Sequence, residues 1–253
     1  MLWVFDLDGV VWLAGQAIPG AAGAVDRLRR RGDRVVFVTN NSGPTVSQYV
    51  ARLGRAGIEV APDELATSSQ AAASLVKPGT RVAYVGGDGV GEALEARGAE
   101  IVAADNDPDA VVVGRSLEID FATLAAAARA IRDGARFVAT NTDATFPTPT
   151  GPEPGAGALI AYLEVGSGRR AEVAGKPEAA MADLVRGRYG QPDLVVGDRA
   201  ETDGAFAQRI GAPFALVLTG VTSRADLPVS PPPALVEEDL ATVVERRLAT
   251  LGD

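Results

Sequence analysis

The fold is decided by the stretch Leu2-Trp3-Val4-Phe5-Asp6-Leu7-Asp8-Gly9, which joins an apolar run to two carboxylates and a turn glycine. The apolar run predicts a buried strand over residues 2–7. Side chains alternate between the two faces of a strand, so Asp6 and Asp8 are expected on the same side, at its carboxyl end. Two carboxylates that lie so close together need a cation between them or a proton on one of them. By itself, the stretch is also consistent with a polar strand end that enters a turn.

Similar apolar runs alternate with stretches rich in Ala, Leu and Arg along the rest of the chain. Further strands are predicted at residues 34–38, 81–85, 110–113, 137–139, 194–196 and 215–218. Helices are predicted near residues 21–31, 46–56, 90–97, 121–132, 178–189 and 237–248. Continuous apolar strands separated by helices indicate a parallel sheet with helices on both faces. We therefore expect an α/β protein with a doubly wound, Rossmann-like parallel sheet.

Polar residues follow some of these strands and not others. They form three groups, at Asp6 and Asp8, at residues 39–42 and at Gly197-Asp198. Ligands bind beyond the carboxyl ends of the strands in an open parallel sheet, so the three groups are expected to converge on one crevice. The stretch between the second and third groups contains strands but no such acidic group, and Gly/Pro signals flank it. We predict one core domain formed by residues 1–78 and 171–253, with a second α/β domain inserted as residues 79–170.

The composition removes several kinds of chemistry, because the 253 residues include no Cys and no His. Disulfides, thiol nucleophiles, cysteine-bound zinc and iron–sulfur clusters are excluded, as are histidine-assisted serine hydrolysis and imidazole-bound metals. Carboxylate, lysine, hydroxyl and backbone chemistry remain. A bound metal is therefore expected to be a hard, oxygen-liganded cation such as Mg²⁺.

The charge balance bears on partners and location. The net charge of −9 argues against a nucleic acid partner, because affinity for nucleic acid depends largely on Lys and Arg. The first six residues contain no basic leader, and no apolar run approaches the roughly 18 residues that a membrane helix needs. We therefore expect a cytoplasmic protein that acts on a small molecule and binds neither nucleic acid nor membrane. A homodimer is among the oligomeric states left open.

Three further motifs contain candidate site residues, each with a plainer alternative. Thr39 and the amides after it suit phosphate oxygens, although the same residues suit a turn and helix cap. Lys176 precedes a proline that suits the first turn of a helix, where an anion is favoured, and the alternative is an exposed loop lysine. Asp198 suits a metal ligand with Asp203 in support, and the alternative is that one of them caps the next helix.

Together and in this order, the motifs resemble those of the haloacid dehalogenase superfamily, and within it the class IIA group of NagD-like, phosphoglycolate and p-nitrophenyl phosphatases. The resemblance covers nearly the whole chain, including the insertion. It is carried by Phe5-Asp6-Leu7-Asp8-Gly9-Val10, Val38-Thr39-Asn40-Asn41-Ser42, Gly175-Lys176-Pro177, Gly197-Asp198-Arg199 and Thr202-Asp203. It implies a catalytic core with a class IIA cap, and Mg²⁺-dependent hydrolysis of small phosphorylated metabolites.

The resemblance also implies roles for individual residues. Asp6 would attack phosphorus to form an aspartyl-phosphate, and Asp8 would protonate the leaving oxygen and later deprotonate water. The metal would be held by Asp6, Asp198 and the backbone carbonyl of Asp8. The phosphoryl group would be bound by Thr39, the backbone of Asn40 and Lys176, with Asp203 and Asn41 in supporting positions. Four carboxylates, one lysine and one Mg²⁺ leave this pocket about neutral once Asp8 is protonated.

Two departures and two alternatives accompany the resemblance. Gly204 stands where this group usually has an aliphatic residue, and Arg115-Ser116 replaces Leu or Phe followed by Asp. The same intermediate would serve a phosphotransferase or phosphomutase. Acidic residues, Thr and Lys on a parallel sheet also fit a receiver-like phospho-acceptor, against which Asp8 and the large insertion argue. Residues 141–157, rich in Pro, Thr and Gly, are the expected specificity segment, and the sequence does not name the metabolite.

Overall fold

The computed structural model describes residues 1–252, which form two compact units. The first unit comprises Met1–Thr39, Tyr49–Ala66 and the chain from Ala182 onward. The second unit comprises Asn40–Gln48 and Thr67–Met181. Each unit contains a parallel sheet of its own. The domain boundaries proposed above, at 78/79 and 170/171, stay a prediction.

The elements alternate along the chain as the apolar pattern indicates. The strands of the described residues are β1 Leu2–Phe5, β2 Trp12–Leu13, β3 Gln16–Ala17, β4 Arg34–Thr39, β5 Leu65–Thr67, β6 Arg81–Val85, β7 Glu100–Ile101, β8 Ala110–Val113, β9 Arg136–Ala139, β10 Thr145–Thr148, β11 Gly151–Pro154, β12 Glu172–Val173, β13 Leu194–Gly197, β14 Phe214–Val217 and β15 Leu235–Glu237. The α-helices are α1 Ala21–Arg30, α2 Val46–Arg55, α3 Ser68–Ser74, α4 Asp88–Ala96, α5 Phe121–Asp133, α6 Ala156–Ser167, α7 Ala179–Tyr189, α8 Ala205–Ile210 and α9 Leu240–Leu251.

The first unit is built on a six-stranded sheet with the order β15-β14-β13-β1-β4-β5. β1 pairs in parallel with β4 on one side and with β13 on the other, so Phe5 lies beside both Phe37 and Val196. The chain passes from β1 to β4 and β5, and later fills the other side with β13, β14 and β15. β1 and β13 therefore flank the topological switch point, where open α/β sheets bind ligands.

The strands at this switch point are rigid because their side chains are apolar and buried. Every residue of β1 and β13 is buried. Trp3, Phe5 and Phe37 form two edge-to-face ring pairs, with centroids 6.0 and 6.2 Å apart, and such pairs add to the free energy gained by apolar burial. Side chains that follow directly on such strands start from a fixed position.

The second unit is built on a five-stranded parallel sheet with the order β12-β9-β8-β6-β7. Its core consists mainly of Ala and Val from the sheet, packed against α5 and α6. β10 and β11 form an antiparallel hairpin in which Phe146 lies opposite Glu153. Arg115, one of the two departures, lies 4.1 Å from the Phe146 ring centroid and pairs with Glu153 at 3.6 Å. It therefore binds the hairpin to the sheet of its own unit.

The α/β class is confirmed, and several local predictions are wrong. β1 ends at Phe5, two residues before the predicted end at Leu7, so the alternation of side chains along the strand does not extend to Asp8. Pro177 lies in a turn after a cis Lys176–Pro177 bond, because α7 begins only at Ala179. Residues 141–157 include the hairpin of β10 and β11. None of the helices in residues 1–252 has the length and apolar character needed to cross a membrane.

Candidate active site

A cluster of three carboxylates lies beyond the carboxyl ends of β1 and β13. Asp6 directly follows β1, Asp198 directly follows β13, and Asp203 lies in the π-helical turn Ala200–Gly204. One oxygen from each carboxylate lies within 4.8 Å of the other two. Asp198 and Asp203 are buried, and Asp6 is only partly accessible. The switch point thus brings together three of the aspartates that the motifs singled out.

The carboxylate of Asp198 lies in a narrow cradle of backbone. Its Oδ2 accepts a hydrogen bond from the Val221 amide at 2.6 Å. Gly9 has a φ of +84°, and a Cβ at this residue would lie 2.5 Å from the Asp198 carboxylate. A Cβ at Gly220 would overlap the same carboxylate. Because the Thr219 hydroxyl donates to the Gly9 carbonyl at 2.5 Å, the two sides of the cradle are joined.

Asp203 organises the loop that follows β13. Its Oδ2 accepts hydrogen bonds from the amides of Asp198 and Arg199, both at 3.1 Å. Its own amide donates to the Arg199 carbonyl at 2.8 Å. Asp203 therefore holds the backbone of the neighbouring aspartate and also adds a carboxylate to the cluster.

Asp8 is placed by a different set of contacts. Its carboxylate is not part of the three-carboxylate cluster. Asp8 forms a β-bridge with Trp12, and its Oδ1 accepts the indole N–H of Trp12 at 3.0 Å. The Asp8 carboxylate therefore has the Trp12 indole as a partner and is not a member of the cluster that contains Asp6.

Thr39 ends β4, the other neighbour of β1, and is buried. Tyr49, from α2, is fully buried in the same unit. Burial raises the pKa of Tyr49 above its ordinary value, and the negative charge of Asp8 acts in the same direction, while a side-chain hydrogen bond with Thr39 opposes them. Tyr49 is therefore a neutral phenol at physiological pH, and it helps to fix the Thr39 hydroxyl.

The remaining predicted phosphate-binding residues, Asn40 and Lys176, lie in the second unit. Lys176 is buried and follows β12. The Asn40 side chain holds both polar groups of the Lys176 backbone. Its Oδ1 accepts the Lys176 amide at 2.8 Å, and its Nδ2 donates to the Lys176 carbonyl at 3.0 Å. These bonds join residues 136 positions apart in the sequence and orient the lysine backbone.

Asn40 is itself held by side chains of its own unit. Its carbonyl accepts hydrogen bonds from the Ser68 hydroxyl at 2.5 Å and from the Asn141 amide at 2.6 Å. Its Nδ2 also lies 3.3 Å from Oδ1 of Asp143. Asn41, predicted in a supporting position, accepts the Gly43 amide at 3.2 Å through its Oδ1 and so stabilises a turn.

Sequence reasoning missed Trp12, Tyr49, Gly220 and the side-chain role of Asn40. Gly220 lies three residues after the end of β14. Trp12 stands four positions after Asp8, a separation that a tight loop closes. Such signals are visible only once the path of each loop is known.

The three-carboxylate cluster is a suitable donor set for Mg²⁺. Carboxylate oxygens are the ligands that hard divalent cations prefer. One oxygen from each of the three carboxylates lies within 4.8 Å of the other two, so a single cation can be shared among them. Oδ2 of Asp198 is held by the cradle and the Val221 amide, and one oxygen of this carboxylate lies within 4.8 Å of an oxygen of Asp6 and of Asp203. We conclude that Asp6, Asp198 and Asp203 fit a hard dication.

Comparison with known proteins gives a consistent result. A family model described as haloacid dehalogenase-like hydrolase matches residues 3–100, and a second HAD-hydrolase-like model matches residues 173–243. The D-glycerol 3-phosphate phosphatase of Mycobacterium tuberculosis is 38% identical over 250 residues, which cover 95% of this chain and 70% of that protein.

Two solved structures are similar along nearly the whole chain. The p-nitrophenyl phosphatase from Archaeoglobus fulgidus has a TM-score of 0.90 and 34% identity, and covers 97% of this chain and 98% of its own. The glycerol phosphate phosphatase from Mycobacterium tuberculosis, in complex with magnesium, has a TM-score of 0.90 and 36% identity. The match covers 96% of this chain and 77% of that protein's chain. This chain therefore belongs to the haloacid dehalogenase-like hydrolase family, in the class IIA group that its motifs indicate.

Proposed function

We propose that this chain is a Mg²⁺-dependent phosphatase that hydrolyses phosphate monoesters of small metabolites through an aspartyl-phosphate on Asp6. The observation that carries the proposal is the cluster of Asp6, Asp198 and Asp203 at the switch point. The substrate class is supported by relatives named D-glycerol 3-phosphate phosphatase, acid sugar phosphatase and phosphoglycolate phosphatase 2.

Mg²⁺ would be held by the carboxylates of Asp6 and Asp198, with the backbone carbonyl of Asp8 as a further ligand and Asp203 in support. When bound, the ion offsets the negative charge of the carboxylates and of the phosphate. The hydrogen bond from Val221 and the cradle formed by Gly9 and Gly220 hold Asp198 in place for this role.

In the first step, an Asp6 carboxylate oxygen forms a bond to phosphorus, and the bond from phosphorus to the ester oxygen breaks. Its electron pair stays on the ester oxygen, which takes a proton from Asp8 and leaves as an alcohol. In the second step, Asp8 removes a proton from water. The water oxygen bonds to phosphorus, the bond to Asp6 breaks, and inorganic phosphate leaves.

Thr39, the backbone of Asn40 and Lys176 bind the transferred phosphoryl group in this proposal, with Asn41 in a supporting position. Hydroxyl, amide and ammonium donors stabilise the charge that spreads over the phosphoryl oxygens. This role is supported by the two hydrogen bonds through which the Asn40 side chain fixes the backbone of Lys176. A cytoplasmic location and the absence of a nucleic acid partner stay predictions.

The test is a phosphate-release screen with Mg²⁺ or with EDTA. The panel contains glycerol phosphate, phosphoglycolate, sugar phosphates, nucleoside monophosphates and pyridoxal phosphate. We expect Mg²⁺-dependent turnover of at least one of them, lost in Asp6→Asn. Turnover by Asp6→Asn at the wild-type rate would contradict the nucleophile. Stable labelling by acetyl phosphate without turnover favours a receiver-like acceptor, and transfer to an added alcohol instead of water favours a phosphotransferase.

A further inference from the structure

We propose that Trp12 is a positioning residue for proton transfer, because its indole N–H fixes the carboxyl group of Asp8. The inference rests on the proposed function, since it requires that Asp8 protonate the leaving oxygen. It assigns a role to a residue that no motif singled out, and it predicts which leaving groups depend on that residue.

The loop after β1 returns Trp12 to Asp8. The Leu7 carbonyl accepts hydrogen bonds from the amides of Val11 at 2.9 Å and Trp12 at 3.2 Å, and the Gly9 amide donates to the Trp12 carbonyl at 2.6 Å. The loop therefore closes on itself through the backbone. In this closed form, the indole nitrogen lies 3.0 Å from Oδ1 of Asp8.

The indole ring is fixed independently of Asp8. Trp12 is only 3% exposed, and it pairs with Ala17 in the antiparallel ribbon of β2 and β3. The guanidinium carbon of Arg52 lies 5.2 Å from the ring centroid, which is within cation–π distance. The donor is thus a rigid group that orients the carboxyl group, and not a mobile partner that follows it.

The direction of this hydrogen bond favours one orientation of the Asp8 carboxyl group. An indole N–H can only donate, so Oδ1 is the acceptor, and a carboxyl group that gives up a proton from Oδ2 can keep this hydrogen bond. In the proposed mechanism, the proton passes from Oδ2 to the ester oxygen as that oxygen takes the electron pair of its bond to phosphorus. The terminal torsion of an aspartate is broad, so loss of this donor is expected to weaken the preference for this orientation.

The test compares leaving groups in Trp12→Phe, which keeps an aromatic ring and removes the N–H. An alkyl phosphate needs protonation of its leaving oxygen, whereas p-nitrophenyl phosphate releases a stable anion. We expect kcat/KM to fall about tenfold for the best alkyl phosphate of the screen, and less than about threefold for p-nitrophenyl phosphate. A purely structural role would lower both to the same extent.

The matched control is Trp3→Phe. Trp3 is fully buried in the same unit, and within the described residues its indole nitrogen has no hydrogen-bond partner. We expect Trp3→Phe to change kcat/KM by the same factor for both substrates. Benzothienylalanine at position 12 keeps the shape of tryptophan without the N–H, and it should reproduce the selective loss even where Trp12→Phe folds poorly.

Asp8→Asn separates the inference from the function on which it rests. A selective loss in Asp8→Asn, without one in Trp12→Phe and the benzothienylalanine protein, overturns the role of Trp12 and leaves the phosphatase proposal intact. If Asp8→Asn lowers kcat/KM for both substrates by the same factor, Asp8 is not the proton donor for the leaving group, and the role of Trp12 fails with it. In the Asp8→Asn background, Trp12→Phe should cause no further selective loss.

Discussion

Both sheets of this chain have a topological switch point, and different residues follow their strands there. In the first unit, β1 leads into Asp6 and β13 into Asp198. In the second unit, the neighbouring strands β6 and β8 lead into Gly86 and Gly114. The topology therefore provides an edge where a ligand can bind, and the residue after each strand decides the chemistry.

The polar residues of the second unit form a different kind of network. Hydroxyl and amide side chains surround Asn40, and Asn40 holds the backbone of Lys176. Carboxylates attract metal cations, whereas amide and ammonium donors attract anions. Variants of Asp6, Asp198 and Asp203 should therefore weaken Mg²⁺ binding, and variants of Asn40 and Lys176 should weaken phosphate binding without changing the response to Mg²⁺.

The largest effect is expected for Asp6→Asn, because the variant lacks the nucleophile. We expect kcat to fall about 10⁴-fold or more in the phosphate-release assay. Asp26→Asn is the control, because Asp26 is exposed and forms an ion pair with Arg30 of its own helix. Equal activity of Asp6→Asn and Asp26→Asn would contradict the assignment of Asp6 as the nucleophile.

Asp198→Asn should abolish the stabilisation that Mg²⁺ gives to the folded protein. A ligand that binds the native state raises the thermal midpoint, and loss of a ligand carboxylate should weaken Mg²⁺ binding by more than about 100-fold. Asp193→Asn is the control, since Asp193 accepts the Leu2 amide at the opposite end of the same strand pair. Lys176→Ala should keep the stabilisation by Mg²⁺. Loss of this stabilisation in Lys176→Ala would contradict the assignment of Mg²⁺ binding to the carboxylates alone.

The bounds of a strand could be predicted from the sequence where the segment is apolar and continuous. β6 and β8 have the predicted bounds, 81–85 and 110–113. The hairpin of β10 and β11 was missed because Pro147, Pro152 and Pro154 argue against strands. Its strands form a separate two-stranded ribbon, where fewer ladder hydrogen bonds are needed.

The candidate site also contains some residues that could be predicted from the sequence and others that could not. Asp6, Asp198 and Asp203 could be predicted because each lies on or soon after a strand of one sheet. The contacts of Trp12, Tyr49 and Asn40 depend on how loops and helices return to the strands, and no local pattern specifies that. Asn40 was chosen for its backbone, yet its side chain binds a residue 136 positions away in the sequence.

Asn40→Ala should impair phosphate binding through Lys176. We expect the inhibition constant for inorganic phosphate to rise about tenfold, and about 100-fold in Lys176→Ala. The double variant should be no worse than Lys176→Ala, because Asn40 acts through the lysine backbone. Additive losses would show that the two residues act separately and would contradict the assigned hydrogen-bond role.

The smallest effect is expected for Gly220→Ala. The new Cβ would push against the Asp198 carboxylate, so Mg²⁺ affinity, measured by the activity at increasing Mg²⁺, should fall about tenfold. Gly23→Ala is the control, because a Cβ at Gly23 in α1 meets no atom within 4 Å. An unchanged Mg²⁺ requirement in Gly220→Ala would contradict the tight cradle around Asp198.

The most direct test of the central claim is chemical trapping of the phosphorylated enzyme. The wild-type protein is mixed with substrate and Mg²⁺, quenched with acid, digested and mapped by mass spectrometry. We predict phosphate on the peptide that contains Asp6 when Mg²⁺ is present, and none when EDTA replaces it. Phosphate on another residue, or turnover with no phosphorylated Asp6 at any quench time, would contradict the account.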